Sequence, residues 1–322
     1  MKDGLLFANA VAKAKENNLF TEERLFRMID KSNIIDAVKI LLEANYGAGL
    51  VPDELSDYEK ILDAERTLLS EFVTSIDMED VGFECFFLHA DYFNAKSILK
   101  AHYGGDCTFT PMKGGLVPFE KLKELITNGS SINPHLDMAI EKIKIEFEEV
   151  RSPRFLDTEI DKAMFCDIWE RTQRRGSDQL IRNYFRAYAD LLNIASFVRT
   201  SRISASVEMF NRLIVVGALE PSFFIEIYPD VSALAQGLAD SSYRQFAEKI
   251  RELDVVSFDV ERDNYLLNII KENRNDMFSI APSLGFFLAK RNEIRTISMV
   301  LVCIKNNVDS NEIKKRLRLL YA

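Results

Sequence analysis

The chain has 322 residues, with 41 basic and 50 acidic side chains, a net charge of −9 and a pI near 5.1. Hydrophobic residues make up 47%, and there are 13 Gly and 8 Pro, about half the usual combined share of roughly 12%. So few helix breakers in a charged, apolar-rich chain argue against a β-sandwich, a collagen-like chain or a disordered chain, and the acidic balance argues against nucleic-acid binding, which needs clustered cations.

The expected fold class is all-α. Residues 5–12 resemble a weak signal-peptide core. However, Asp3 and Asn9 interrupt it, and Lys13, Lys15 and Glu16 follow in helical phase, so an amphipathic first helix is expected. Thr21 followed by Glu22 and Glu23 predicts a capped helix start with acids near the positive end of the dipole. Leu25, Ile29, Ile34, Ile35, Val38, Leu41 and Leu42 keep helical spacing, and Asn45, Tyr46 and Gly47 predict a stop. Residues 57–76 predict a longer helix with Tyr58, Ile61, Leu62, Leu68, Leu69, Phe72 and Val73 on its apolar side. Residues 104–115 are the Gly-rich stretch and predict a surface loop. The longest apolar runs, residues 213–219 and 297–304, fall far short of the roughly 18 residues that span a bilayer. The four cysteines (Cys85, Cys107, Cys166 and Cys303) contain no CxxC and read as reduced, buried thiols of a cytosolic protein.

A weak repeat runs through the chain. Asp91, Asn94, Ser97, Ile98, Leu99 and Lys100 recur in register as Asp190, Asn193, Ser196, Phe197, Val198 and Arg199. Glu293, Thr296, Val300 and Leu301 form a looser third copy. Each copy leads to a break that can cap a new helix: Leu116-Val117-Pro118, Leu219-Glu220-Pro221 and Val308-Asp309-Ser310. Short amphipathic segments follow at residues 119–126, 222–228 and 311–320. The expected organisation is three helical modules of roughly 100 residues each, with approximate boundaries at 1–128, 129–230 and 231–322. The terminal segments can mix between modules.

Catalytic chemistry finds little support. Lys113-Gly114-Gly115 lacks the order of a phosphate-binding loop. Cys85 and His89 share a helix face, but no second ligand pair accompanies them, and a buried Cys beside a half-buried His is the simpler reading. Asn275, Asp276 and Ser279 begin the magnesium motif of a class I terpenoid synthase. Ser283 stands where its Glu is needed and Pro282 would break the helix, so a capped turn before a helix near Pro282 is expected instead. With three histidines and no G-x-S-x-G, nothing supports a Ser or Cys nucleophile. Trp169 and the other aromatics read as core. No cofactor, metal or small-molecule substrate is expected.

Two basic features remain. Lys314, Lys315, Arg316 and Arg318 read either as a helix C-terminus or as a foot near an anionic surface. Arg171, Arg174, Arg175, Arg182 and Arg186 read either as a solvated face or as a docking patch.

Several stretches together resemble the C-subunit family of V/A-type rotary ATPases, the homologues of the d subunit of eukaryotic V-ATPases. Lys290, Glu293 and Ile297 match a Lys-x-x-Glu-x-x-x-Ile signature near the family's end, and Ile313, Arg316 and Leu317 match its closing Ile-x-x-Arg-Leu. Asp190, Asn193 and Ile194 match its Asp-x-x-Asn-Ile stretch, and Asp91 and Asn94 match the equivalent in the first module. Ala12 and Ala14, then Leu41, Ala44 and Tyr46, resemble its N-terminal helices. The chain departs from the pattern at Thr296, where Asn is frequent, and at Val215-Val216-Gly217-Ala218, where a Gly pair is frequent.

The resemblance implies a non-catalytic rotor part built of three similar helical domains, arranged as a funnel with pseudo-threefold symmetry. Such a part sits on the cytoplasmic face of the membrane proteolipid ring and receives the D and F subunits of the central stalk. Torque then passes between the ATP-hydrolysing or ATP-synthesising head and the ion-carrying ring, with the chain peripheral to the membrane and bound to no nucleic acid. Within that reading, Lys96, Lys100, Arg199, Arg202 and Arg295 are the expected partner contacts; intramolecular ion pairs are their other reading. A helical-repeat scaffold gripping a partner helix, and the all-α magnesium enzyme, are the alternatives.

Overall fold

A computed structural model of the chain describes residues 2–31, 33–76, 81–104, 109–252 and 255–318. Among these residues every regular element is helical, which makes the fold all-α. The chain divides into two compact units, one formed by residues 1–78 with 254–322, the other by residues 79–253. The sequence-based boundaries after 128 and 230 fall at helix edges inside the second unit. Cys107, residues 105–108 of the Gly-rich stretch, and Leu319 and Leu320 lie outside the described residues.

The first unit begins with α1 (Lys2–Glu16), α2 (Glu22–Ile29), α3 (Ile34–Glu43) and α4 (Glu59–Ser75). Thr21 caps α2 by accepting from the Arg24 N–H at 3.4 Å, and Asn33 caps α3 by accepting from the Asp36 N–H at 2.9 Å. These side chains satisfy amide donors that the first helical turn leaves free. Between α3 and α4 a one-turn helix, Tyr46–Gly49, is built on a left-handed Gly47. A Cβ at Gly47 would lie 2.9 Å from the Ile61 side chain, so α4 can approach only because the residue is glycine.

The second unit runs α5 (Cys85–Gly104), α6 (Phe119–Asn128), α7 (Pro134–Val150), α8 (Pro153–Gln173), α9 (Gln179–Arg202), α10 (Val207–Asn211), α11 (Pro221–Ile227), α12 (Val231–Ala239) and α13 (Arg244–Glu252). Proline opens α7, α8 and α11, where its missing N–H costs nothing. The strongest packing is α5 and α7 against α8, and α12 against α13. Phe86 on α5 meets Tyr184 and Phe185 on α9 at centroid distances of 5.0 and 4.8 Å. Phe197, Phe210 and Tyr228 pack together at 4.6–5.2 Å. Each fully buried ring among these, such as Phe197 or Phe210, adds roughly 1.5–3 kcal/mol to the drive to fold.

The chain then returns to the first unit with α14 (Val255–Lys271), α15 (Ala281–Lys305) and α16 (Ser310–Lys314). The start of α15 beside Pro282 is as expected, and the turn before it is closed by Asp276, which accepts from the Phe278 N–H. α15 is the axis of this unit: it packs on α1, α2, α3, α4 and α14, and its residues from Ala281 to Lys290 are all buried.

Three expectations need correction. Cys166 is exposed, because it lies on the outer face of α8, whereas Cys85 and Cys303 are buried. Trp169 is only half-buried, its indole N–H turned to the Val216 carbonyl, whereas Phe165 and Thr172 are buried. Phe7 and Phe278 are also exposed, at 65% and 78%.

Candidate functional site

The repeat unit turns out to be a backbone clamp. Asp91 and Asn94 lie three residues apart on α5, on one buried helix face. The Asn94 amide pairs with the backbone of Met112 in both directions, donating to its C=O at 2.9 Å and accepting from its N–H at 2.8 Å. The Asp91 carboxylate accepts the N–H groups of Leu116 and Val117 at 2.9 and 3.1 Å, just ahead of α6.

The second copy repeats this bond for bond. Asn193 on α9 donates to the Val215 C=O at 2.7 Å and accepts from its N–H at 3.0 Å. Asp190 accepts the N–H groups of Ala218 and Leu219 at 3.1 Å, just ahead of α11. Here Tyr243, in the turn just before α13, adds a third donor, its hydroxyl lying 2.6 Å from the carboxylate. Burial pushes both aspartates upward from the ordinary value, against the pull of their donors.

A glycine completes each clamp. A Cβ on Gly115 would sit 2.0 Å from the Asp91 carboxylate, and one on Gly217 would sit 1.9 Å from that of Asp190. Neither glycine has a left-handed φ, so close approach is the requirement here. Val216 therefore departs from the Gly pair without harm, because Gly217 holds the position that matters.

The third copy uses the same logic on a different partner. Glu293 of α15 accepts the N–H of Phe20 at 2.5 Å, immediately ahead of α2. The helix that follows it in sequence, α16, has its own cap in Asp309. Lys290 bridges Glu293 at 2.7 Å and Glu65 of α4 at 2.8 Å, and Glu65 accepts the Gly47 N–H at 2.6 Å. The Lys290 ammonium also lies 4.3 Å from the centre of the buried Tyr46 ring. All four side chains are buried, and burial pushes Glu293 and the Tyr46 phenol upward. A cavity of about 260 Å³ adjoins this cluster, lined by Lys15, Asn18, Asn45, Tyr46, Glu65 and Lys290.

Sequence reasoning missed Glu65 and Asn9. Asn9 is fully buried; it donates to the carbonyls of Met277 and Ser279, at 2.9 and 2.8 Å, and accepts from Ser283. Its only signal was that it breaks an apolar run, which is where a buried polar tie would show.

The five expected partner contacts are distributed. Lys96 binds Asp161, and Lys100 binds Asp157 at 2.7 Å, so both join α5 to α8. Arg199 and Arg202 are exposed at the end of α9. Arg295 is exposed on α15, with Asp263 3.8 Å away. At the C-terminus Lys314 pairs with Asp30, Lys315 with Glu312 and Arg318 with Asp263. Cys85 is buried, with its thiol pushed upward by that burial, while His89 is exposed, so the pair does not converge. Among the described residues, no three His, Cys, Asp or Glu side chains are grouped to hold a metal, and no helix is long and apolar enough to cross a membrane.

Comparison with known proteins gives the family. The chain is 20% identical to the C subunit of the V-type sodium ATPase of Enterococcus hirae, over 97% of its own length and 98% of that chain's. It is 20% identical to the C subunit of the A-type ATP synthase of Pyrococcus abyssi, over 96% of its own length and 89% of that chain's. The corresponding protein of Methanocaldococcus jannaschii is also 20% identical, with 97% and 85% covered. At this identity few individual side chains persist, yet the matches run nearly end to end. A family model described as ATP synthase (C/AC39) subunit matches residues 8–316, from the buried tie at Asn9 to the closing turn after α16, and the chain belongs to that family.

Proposed function

We propose that this chain is the non-catalytic C subunit of a V/A-type rotary ATPase, coupling the D and F subunits of the central stalk to the membrane proteolipid ring. In this reading it lies on the cytoplasmic face of the membrane, as three related helical modules arranged as a funnel. The observation that carries the reading is the family match across residues 8–316, with relatives named as the C subunits of such complexes.

The clamps support it physically. A part that passes torque needs stiff joints between long helices and the short helices beside them. Buried charge-assisted hydrogen bonds to backbone supply such joints, each stronger than a neutral one. In both Asp–Asn clamps the buried side chains end on backbone amides and carbonyls, which is a structural use of them. Arg199, Arg202 and Arg295 are the proposed stalk or ring contacts, with Lys96 and Lys100 acting through their ion pairs.

The test is co-purification. The tagged chain, expressed in its source cells and extracted in mild detergent, should bring down stalk and proteolipid subunits in fixed ratio. A folded chain that brings down none, from membranes shown to hold the complex, would overturn the reading.

A further inference from the structure

Asp263 of α14 is shared by three guanidinium groups, and not equally. Arg262 grips one carboxylate oxygen with two N–H groups, at 3.2 and 3.0 Å, and turns a third to Asp259 at 2.8 Å. The other oxygen accepts the Arg318 Nε–H at 2.5 Å and faces the Arg295 guanidinium of α15, 3.8 Å away. That last separation is too long for a hydrogen bond. Among the described residues, then, the Arg295 side chain donates to nothing, and Arg318 donates through Nε alone.

These two arginines stand close together with open donor edges, because both address the same Asp263 oxygen. Arg318 is the anchored member, its side chain 15% exposed, and Arg295 is the reachable one, at 63%. Neither has a second acid among the described residues, whereas Arg262 has Asp259. Desolvation and then the charge of Arg318 lower the Arg295 pKa, with Arg262 and Arg291 adding to the repulsion and Asp263 opposing it. This corner therefore carries more positive charge than its acids offset, on a chain whose net charge is −9. An anion that reaches it relieves repulsion between cations that are already in place.

The number of open forks narrows the choice of anion. A carboxylate has two oxygens and fills one guanidinium fork, whereas a phosphate group presents three terminal oxygens and can engage two forks together. We infer that Arg295 and Arg318 form a two-forked site for a phosphate group, either free in solution or carried as the headgroup of a lipid. Asp263 is the positioning residue: one oxygen locks it to Arg262, and the other holds Arg318 beside Arg295. The site does not rest on the rotor reading, so either can fail alone.

The full chain is titrated calorimetrically with inorganic phosphate and, at equal ionic strength, with acetate. It is also sedimented with phosphatidylcholine vesicles prepared with and without phosphatidic acid. Phosphate, or the vesicles holding phosphatidic acid, should bind saturably, and acetate should bind about tenfold more weakly. Binding of free phosphate assigns a soluble ligand, and binding of the phosphatidic acid vesicles alone assigns a headgroup. Arg295→Gln should weaken the binding about tenfold or more. Arg295→Lys keeps the charge but loses the fork, so it should recover only part of the binding. Arg154→Gln, at an exposed arginine of α8, should leave it unchanged. Circular dichroism establishes that each variant is folded. Binding of neither probe, acetate bound as tightly as phosphate, or full binding by Arg295→Gln or Arg295→Lys would overturn the inference.

Discussion

The carboxylate of Glu293 accepts the backbone N–H of Phe20 at 2.5 Å, across a separation of 273 residues. In the other two copies the equivalent acid closes on the segment ahead of the next short helix: Asp91 on Leu116 and Val117, Asp190 on Ala218 and Leu219. In the third copy the clamped segment belongs to the start of the chain. The acid, the captured amide and the short helix beyond it are common to all three, and only the connectivity differs.

The glycine positions give a direct check on the clamps. Gly115→Ala and Gly217→Ala each force a methyl into a carboxylate oxygen. Each substitution should lower the unfolding free energy by about 2–3 kcal/mol. Gly114→Ala next door should cost less, through its φ of +86°, because open space surrounds it. Urea denaturation of the three variants measures the order, and equal losses at all three sites would contradict the clamp geometry.

Lys290 bridges two buried carboxylates, so its removal leaves both without their cation. Lys290→Met should destabilise the chain by about 3–5 kcal/mol. Adding Glu65→Gln and Glu293→Gln should recover a substantial part of that loss, since neutral amides need no counter-charge. Thermal melts of the single and triple variants compare these directly; a triple variant weaker than the single would count against charge as the cause.

Asp190 should carry a pH signature of burial. Its folded pKa is raised, so the folded chain keeps this proton to higher pH than the unfolded chain does. The folded state then binds more protons in that window, and its stability falls as pH rises from the unfolded value of about 3.9 through the folded one. Asp190→Asn has no such titration. The difference, wild type minus variant, should therefore decline with rising pH and then level off. Paired urea titrations across the acid range read it, and a difference rising with pH would reverse the assignment.

Asp263 should show the opposite slope. Burial pushes its carboxyl up, but Arg262 and Arg318 outweigh it and the net shift is downward. Its contribution is present above the unfolded pKa and is lost as pH falls through the folded one. Arg318→Ala should weaken this term, destabilising the chain near neutral pH more than in acid. A loss that does not change with pH would mean that Arg318 acts through packing alone.

The sequence made the all-α fold legible through its few breakers, its caps and its helical spacing. Thr21 and Pro282 mark helix starts where expected. The repeat was visible too, but its meaning was not. A helix-borne Asp three residues before an Asn looks like surface patterning until the loop that it holds is in place. The sequence left Lys96 and Lys100 open between partner contacts and ion pairs, because their acids, Asp161 and Asp157, lie on another helix. Glu65 and Lys290 gave no joint signal, since helix periodicity reports which face is buried and not which distant charge meets it. Trp169 misled because aromatic spacing alone does not say how far a ring reaches inward.

The division of the chain also orders its birth on the ribosome. Residues 79–253 are contiguous, so the second unit is complete while synthesis continues. Residues 1–78 belong with 254–322, and their axis α15 emerges among the last helices. Until then the faces of α1 to α4 that pack on α15 have nothing to cover them, and Phe20 has no acid to hold it. A nascent chain halted before Ala281 should therefore offer protease-sensitive early helices beside a resistant later unit, reversing the familiar order in which the first-made part settles first.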